Sequence, residues 1–133
     1  MERIVIYTGS HASEILVGES RKNAGNYLSG RRGVIITDEN VNRLYHGDFP
    51  DFPVFPIEPG ETGKSLDTIE KLTCRLLDAG LDRSGFILGI GGGVVCDVSG
   101  FLASVYMRGI PFGFISTTLL SQVDASVGGK NGV

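Results

Sequence analysis

The sequence predicts an α/β fold with a doubly wound, mainly parallel sheet, on three observations. Short apolar, β-branched runs alternate with segments of helical periodicity along the chain. One run, residues 86–90, is apolar without alternation, as a strand covered on both faces is. Glycine, 20 of 133 residues, gathers in short clusters just beyond apolar runs instead of spreading as a linker.

Residues 3–8 are short and β-branched and read as a first strand. Residues 19–28 are polar and contain Gly25, which makes them a poor helix. A second strand, 33–37, stops at Asp38, and an aspartate there suits the N-cap of a following helix. Pro53 and Pro56 confine a third strand, 52–57, to irregular or edge pairing. The clearest helix is 65–79, where Leu66, Ile69, Leu72, Leu76 and Leu77 form one apolar stripe. Ser65 caps its start, and Gly80 stands where a terminating glycine belongs. After strand 86–90, helical spacing resumes over 94–107 with Val98, Leu102 and Val105. Residues 110–115 read as a last strand and 117–123 as a short helix. With no repeat and no long linker, residues 1–133 are expected to form one domain.

Composition removes several function classes. The chain is 41% hydrophobic and 20% charged, unlike a disordered segment. No apolar run reaches the roughly 18 residues of a membrane span, and the N-terminus lacks a signal-peptide cleavage pattern. A net charge of −3 argues against a nucleic-acid partner. Two cysteines, Cys74 and Cys96, are too few for a disulfide framework or a cysteine-based zinc site, which fits a reducing, cytoplasmic compartment. His11 and His46 have no second ligand at metal spacing and read as surface residues.

In a doubly wound sheet, ligands bind beyond the carboxyl ends of the strands. That rule selects residues 38–40, 59–65, 91–97, Thr117 with Thr118, and 124–130. Gly91, Gly92 and Gly93 lead from a buried strand into a helix, where backbone N–H groups and the helix dipole favour a phosphate. The run departs from the dinucleotide fingerprint, because Val94 or Cys96 replaces its final glycine. Asp97, in the first helical turn, either complements the dipole or meets the ligand. Residues 58–65 approach a P-loop, but Glu58 takes the first glycine position and Glu61 would repel a triphosphate. A carboxylate and an ammonium three residues apart, Glu61 and Lys64, can instead grip a ribose hydroxyl and a nearby phosphate; a solvated turn with a helix cap is the plainer alternative. Taken alone, Arg108 complements a helix C-terminus and Thr117 and Thr118 cap the next helix. Asp124, Gly128, Gly129 and Lys130 make either a flexible loop reaching a phosphate or carboxylate or an ordinary loop. Cys74 reads as a passive filler at the edge of the long helix. A helix N-terminus lowers a thiol pKa, but no base accompanies Cys96, so it is not read as a nucleophile.

From Gly91 to the chain end, with residues 58–65 and the Asp38-Glu39-Asn40 step, the sequence resembles the dehydroquinate synthases. The resemblance implies a Rossmann-like N-terminal NAD-binding domain of an enzyme of the shikimate pathway. That enzyme is a carbon-oxygen lyase converting 3-deoxy-arabino-heptulosonate 7-phosphate to 3-dehydroquinate, with tightly held NAD and a divalent metal, zinc or cobalt. It further implies NAD contacts at Asp38, Asn40, Glu61, Lys64, Gly91, Gly92, Gly93, Val94, Asp97, Thr117, Thr118 and Lys130. The catalytic, substrate-facing residues it implies are Arg108, Asp124 and Lys130. Cys96 stands where the family usually has glycine, and Ser116 where it often has proline. The family's metal ligands belong to a C-terminal helical domain absent from these 133 residues, so the isolated chain is expected to be inactive. A homodimer acting on a sugar phosphate is the implied assembly. Rival readings are another sugar-phosphate cyclase, a glycerol-dehydrogenase-like alcohol dehydrogenase, and a non-enzymatic nucleotide-binding module.

Overall fold

The chain begins with an antiparallel hairpin, not with the first strand of the parallel sheet. A computed structural model, describing residues 1–28 and 30–133, pairs β1 (Glu2–Thr8) with β2 (His11–Val17). Only Gly9 and Ser10 separate Thr8 from His11, far short of a parallel crossover. Gly9, at φ +61°, adopts the left-handed geometry that such two-residue hairpin turns need. The strand expected at 3–8 is therefore present but lies outside the main sheet, and β2, which opens His-Ala-Ser-Glu, was not anticipated. Residues 19–28 form no α-helix; a 3₁₀ segment, Arg21–Tyr27, follows Ser20, whose hydroxyl accepts from the Lys22 N–H.

The main sheet contains β3 (Gly33–Asp38), β4 (Val54–Ile57), β5 (Phe86–Gly91) and β6 (Phe112–Ser116), all parallel, in the order β4-β3-β5-β6. The helices joining them are α1 (Glu39–Tyr45), α2 (Leu66–Asp78) and α3 (Gly93–Val105). From β3 the chain crosses outward to β4, returns past β3 to β5, and continues to β6. The direction of winding thus reverses between β3 and β5.

Alternation along the strands divides the core in two. Val34, Ile36 and Ile87 join Ile69, Leu72 and Leu76 of α2 and Val95, Val98 and Leu102 of α3 in one buried cluster. Ile35, Leu88 and Ile90 face the other side, covered by Leu28, Val41, Phe49 and Phe52. Both faces of β3 and β5 are therefore dry, which explains their unbroken apolar runs. The edge placement expected for the proline-containing strand is observed in β4.

Three boundary details differ from expectation. Leu66 and Leu77 do not belong to the buried stripe of α2, being 68% and 52% exposed. Helix α3 ends at Val105, itself exposed, because Met107 and Arg108 take left-handed φ values of 51° and 66°. The final short helix passes into a π-helical turn, Ser121–Ala125. Among the described residues, no helix is long and apolar enough to cross a membrane.

Candidate functional site

At the reversal point, Thr37 of β3 sits opposite Ile90 of β5, and its hydroxyl donates to the Ile90 carbonyl at 2.7 Å. Beyond this pair the two chains part, opening the crevice that the fold class reserves for ligands. On one side Asp38 ends β3, and its carboxylate accepts from the Val41 N–H at 2.8 Å, capping α1 as expected. Asn40 is exposed in the first turn of that helix. On the other side lies the start of α3.

The three helices begin differently. Asp38 caps α1 and Ser65 caps α2, whereas Gly92 precedes α3 and offers no side-chain cap. The first-turn N–H groups of a helix lack intrahelical partners, so those of α3, including Gly93 and Val94, are left facing the crevice with the positive end of the dipole. The glycines before them serve two purposes. A methyl on Gly91 would stand 2.5 Å from Val95 Cγ2, and one on Gly89 2.7 Å from the Ser99 hydroxyl, so these two let α3 pack close to β5. Gly92 and Gly93 have more room and keep the backbone open to an anion. Ser99 Oγ is buried and has no partner among the described residues.

A second loop brings charge to this helix start. Gly60, at φ +82°, turns the chain into a 3₁₀ turn, Glu61–Gly63, and Gly63 fits beneath the Glu58 carbonyl. The Lys64 ammonium then lies 2.8 Å from an Asp97 oxygen and 3.8 Å from a Glu61 oxygen. Hydrogen bonding to Asp97, assisted by the charges of Asp97 and Glu61, raises the Lys64 pKa above its ordinary 10.5 despite partial burial. The stabilisation this contributes is fully present below pH 10.5 and is lost only as pH rises through the raised value. Lys64 is thus committed to Asp97 in α3, an arrangement unlike a P-loop lysine folded over its own loop.

Thr117 closes the third side: its N–H donates to the Gly91 carbonyl at 2.9 Å. Thr118 caps the last turn, its hydroxyl accepting from the Ser121 N–H at 3.2 Å, and a methyl on Gly92 would lie 3.2 Å from its Cγ2. Asp124 is exposed in the π-helical turn, which packs against the start of α3 through Ala125 and Gly93. Lys130 is exposed in the loop that follows. The structure thus gathers Asp38, Asn40, Glu61, Lys64, Gly91, Gly92, Gly93, Val94, Asp97, Thr117 and Thr118 around one strand edge, with Asp124 beside them. Arg108 is not brought there. Helix α3 carries the chain away from the crevice: its 13 residues put Val105 roughly 20 Å from Gly92 by helical rise, and Arg108 follows that end.

Cys96 corrects one expectation. Its position near a helix start does not activate it: burial pushes its thiol up to about 11, outweighing a hydrogen bond with Ser116 that acts the other way. Cys74 is exposed. Iodoacetamide at pH 8 is therefore expected to alkylate Cys74 and spare Cys96 in the native protein, and to label both in denaturant; mass mapping of the labelled peptides checks this. Gly63 was missed by the sequence reading, although a glycine directly before a lysine in a strand-to-helix loop was the available signal.

Two cavities, of about 250 Å³ and 470 Å³, lie elsewhere. The first is at the amino end of β3, between Arg32 and Phe52, and the second lies between the hairpin and Phe112. Neither is lined by the glycine run. Among the described residues, no group of three His, Cys, Asp or Glu side chains could hold a metal ion.

Comparison with known proteins agrees with this geometry. Across its full length the chain is 38% identical to the 3-dehydroquinate synthase of Koribacter versatilis (strain Ellin345), of which the alignment covers 40%. The chain thus spans well under half the length of that relative. A solved 2-epi-5-epi-valiolone synthase from Streptomyces hygroscopicus subsp. jinggangensis, with NAD+ and Zn2+ bound, superposes with a TM-score of 0.73. It is 27% identical over 96% of this chain and 39% of its own. A 2-deoxy-scyllo-inosose synthase in complex with carbaglucose-6-phosphate, NAD+ and Co2+ has the same fold, with a TM-score of 0.78, at 22% identity over 93% of this chain and 38% of its own. The family model described as 3-dehydroquinate synthase N-terminal matches residues 54–133, from β4 through the glycine run to the last loop, and the chain belongs to the 3-dehydroquinate synthase family.

Proposed function

We propose that residues 1–133 form the N-terminal NAD-binding domain of a 3-dehydroquinate synthase, which converts 3-deoxy-arabino-heptulosonate 7-phosphate to 3-dehydroquinate and phosphate. The observation that carries this reading is the uncapped start of α3, set at the reversal point of the sheet and flanked by the Lys64–Asp97 pair. Free N–H groups at Gly93 and Val94 suit a pyrophosphate. Asp97 is neutralised by Lys64, so its carboxylate does not repel that anion. Asp38 and Asn40 lie across the crevice, where an adenosine would rest, and Glu61 offers an exposed carboxylate to a ribose hydroxyl. Thr117 and Thr118 border the far side. When bound, the dinucleotide supplies reversible hydride acceptance, so it is regenerated within each turnover.

Asp124 borders the cleft on the substrate side, and Lys130, on the exposed loop that follows, serves as a point charge for the phosphate or carboxylate of a sugar phosphate. Arg108 is outside this cleft and is given no role in it. The divalent metal has no ligand set among the described residues, so no step is assigned to it here. A homodimer fits the β1–β2 hairpin, whose Ile4, Ile6 and Tyr7 are exposed and whose outer edges, among the described residues, pair with no other strand.

Calorimetric titration with NAD and with ATP, followed by an assay with the sugar phosphate on the protein that contains this chain in full, tests the reading. Saturable NAD binding, phosphate release and no net NADH are expected. ATP binding without NAD binding would overturn it, and stoichiometric NADH production from an alcohol would favour a dehydrogenase.

A further inference from the structure

The last residues of the chain lie across α3. A methyl on Gly100, in the middle of that buried helix, would stand 2.1 Å from Asn131 Oδ1 and 2.6 Å from its Cγ. The carboxamide therefore rests directly on helix backbone, in a notch that exists because residue 100 has no side chain. Nothing in the local geometry of α3 otherwise calls for glycine there: its φ is not left-handed, and glycine weakens a helix interior. One residue further, a methyl on Gly132 would lie 3.8 Å from Lys64 Cε and 3.9 Å from its ammonium. The same short segment thus touches α3 and borders the Lys64–Asp97 pair.

The loop leading to it is tied at its start, where the Ser126 and Val127 N–H groups donate to the Ser121 and Asp124 carbonyls at 3.0 Å, and opens after Val127. Gly128, at φ +107°, and Gly129 both have open space where a side chain would be. Two adjacent glycines carry much conformational freedom, so holding Lys130 in one place requires an anchor outside the loop. Asn131, half-buried and next to exposed Lys130, is that anchor.

We propose that Asn131 is a positioning residue. Seated in the Gly100 notch, it latches residues 128–130 onto α3 and holds Lys130 at the cleft edge, one residue before the segment that borders Lys64. The functional half of this statement rests on the reading of Lys130 as substrate-facing. The test compares wild type, Gly100→Ala, Asn131→Ala and the double variant in the protein containing this chain in full. Hydrogen exchange at residues 128–132 is expected to accelerate about tenfold in each single variant. KM for the sugar phosphate is expected to rise about tenfold, as for a misplaced binding group, and by more than the dissociation constant of NAD, which most of its contacts still hold. The double variant should be no worse than the worse single variant, because both substitutions break one contact. Unchanged exchange in Asn131→Ala, additive effects, or a loosened loop with unchanged KM would each overturn the latch. Exchange is read without turnover. A wild type with NAD binding but no synthase activity would therefore count against the function proposed above, leaving the latch to stand or fall on exchange and on the coupling between the two sites.

Discussion

Gly63→Ala is expected to weaken NAD binding at least about tenfold, a loss of about 1.4 kcal/mol, and to lower the thermal midpoint. The added methyl would stand 2.1 Å from the Glu58 carbonyl oxygen, a distance no real contact tolerates. That oxygen belongs to backbone, so the conflict cannot be relieved by rotating a side chain. The 3₁₀ turn is itself tied by the Gly63 N–H to the Gly60 carbonyl and the Lys64 N–H to the Glu61 carbonyl, each at 3.1 Å. Moving Gly63 therefore moves Glu61 and Lys64 together, and Lys64 leaves Asp97. Overpacking of this kind costs about 1–3 kcal/mol in stability. Gly47→Ala is the control: residue 47 has open space and no left-handed φ, so its cost should stay within about 0.5 kcal/mol. Calorimetry with NAD and thermal melting of both variants provide the comparison, and undiminished affinity in Gly63→Ala would refute the loop's role.

What the sequence reveals about this fold depends on whether each signal is local. The caps at Asp38 and Ser65, the terminating Gly80 and the doubly covered β5 were legible because a single residue type or a short run determines each. The hairpin was not. A first strand predicted over residues 3–8 fits either a hairpin or a parallel sheet, and only the two-residue Gly9-Ser10 turn decides between them. Periodicity likewise places Leu66 and Leu77 near the α2 stripe, but which neighbours cover its edges is a tertiary matter, and here solvent does.

The site was legible at the level of elements. Ligand sites in such sheets follow from strand direction, so every loop selected by the carboxyl-edge rule, apart from the reach of Lys130, falls on one side of the sheet. The helix-end reading of Arg108 agrees with its place just after α3, and a helix that begins at the crevice carries the chain away from it. The Lys64–Asp97 pair was not legible, since it joins the loop before α2 to helix α3, far apart in the sequence, through packing of α2 against α3. The direction of the Cys96 shift was not legible for a related reason: burial, which sequence spacing does not display, raises its pKa and outweighs the hydrogen bond with Ser116.

Leu76→Ala is expected to cost about 2–5 kcal/mol, and Leu77→Ala less than about 0.5 kcal/mol, although the two leucines are adjacent. Leu76 is fully buried and follows Ile69 and Leu72 at helical steps, packed with Val34, Ile36 and Val98. Leu77 is turned about 100° around the axis and half exposed. Removing the Leu76 side chain leaves a cavity that the sheet below, held by parallel pairing on both sides of β3, has little freedom to fill. Urea unfolding should show the Leu76→Ala midpoint falling at constant slope, and equal costs at the two positions would contradict the packing described. Against a total stability of about 5–15 kcal/mol the loss is large, and it reaches the site, because α2 starts one residue beyond its Ser65 cap and that cap follows Lys64 directly. Ligand linkage then provides a second readout: NAD at about 100 times its dissociation constant adds about 2.7 kcal/mol to any variant whose cleft is intact. Leu76→Ala should recover by that full increment if its cavity stays within the core. It should recover by less if the cavity loosens α2 as far as Lys64, since the weakened cleft would then need more NAD to reach the same saturation.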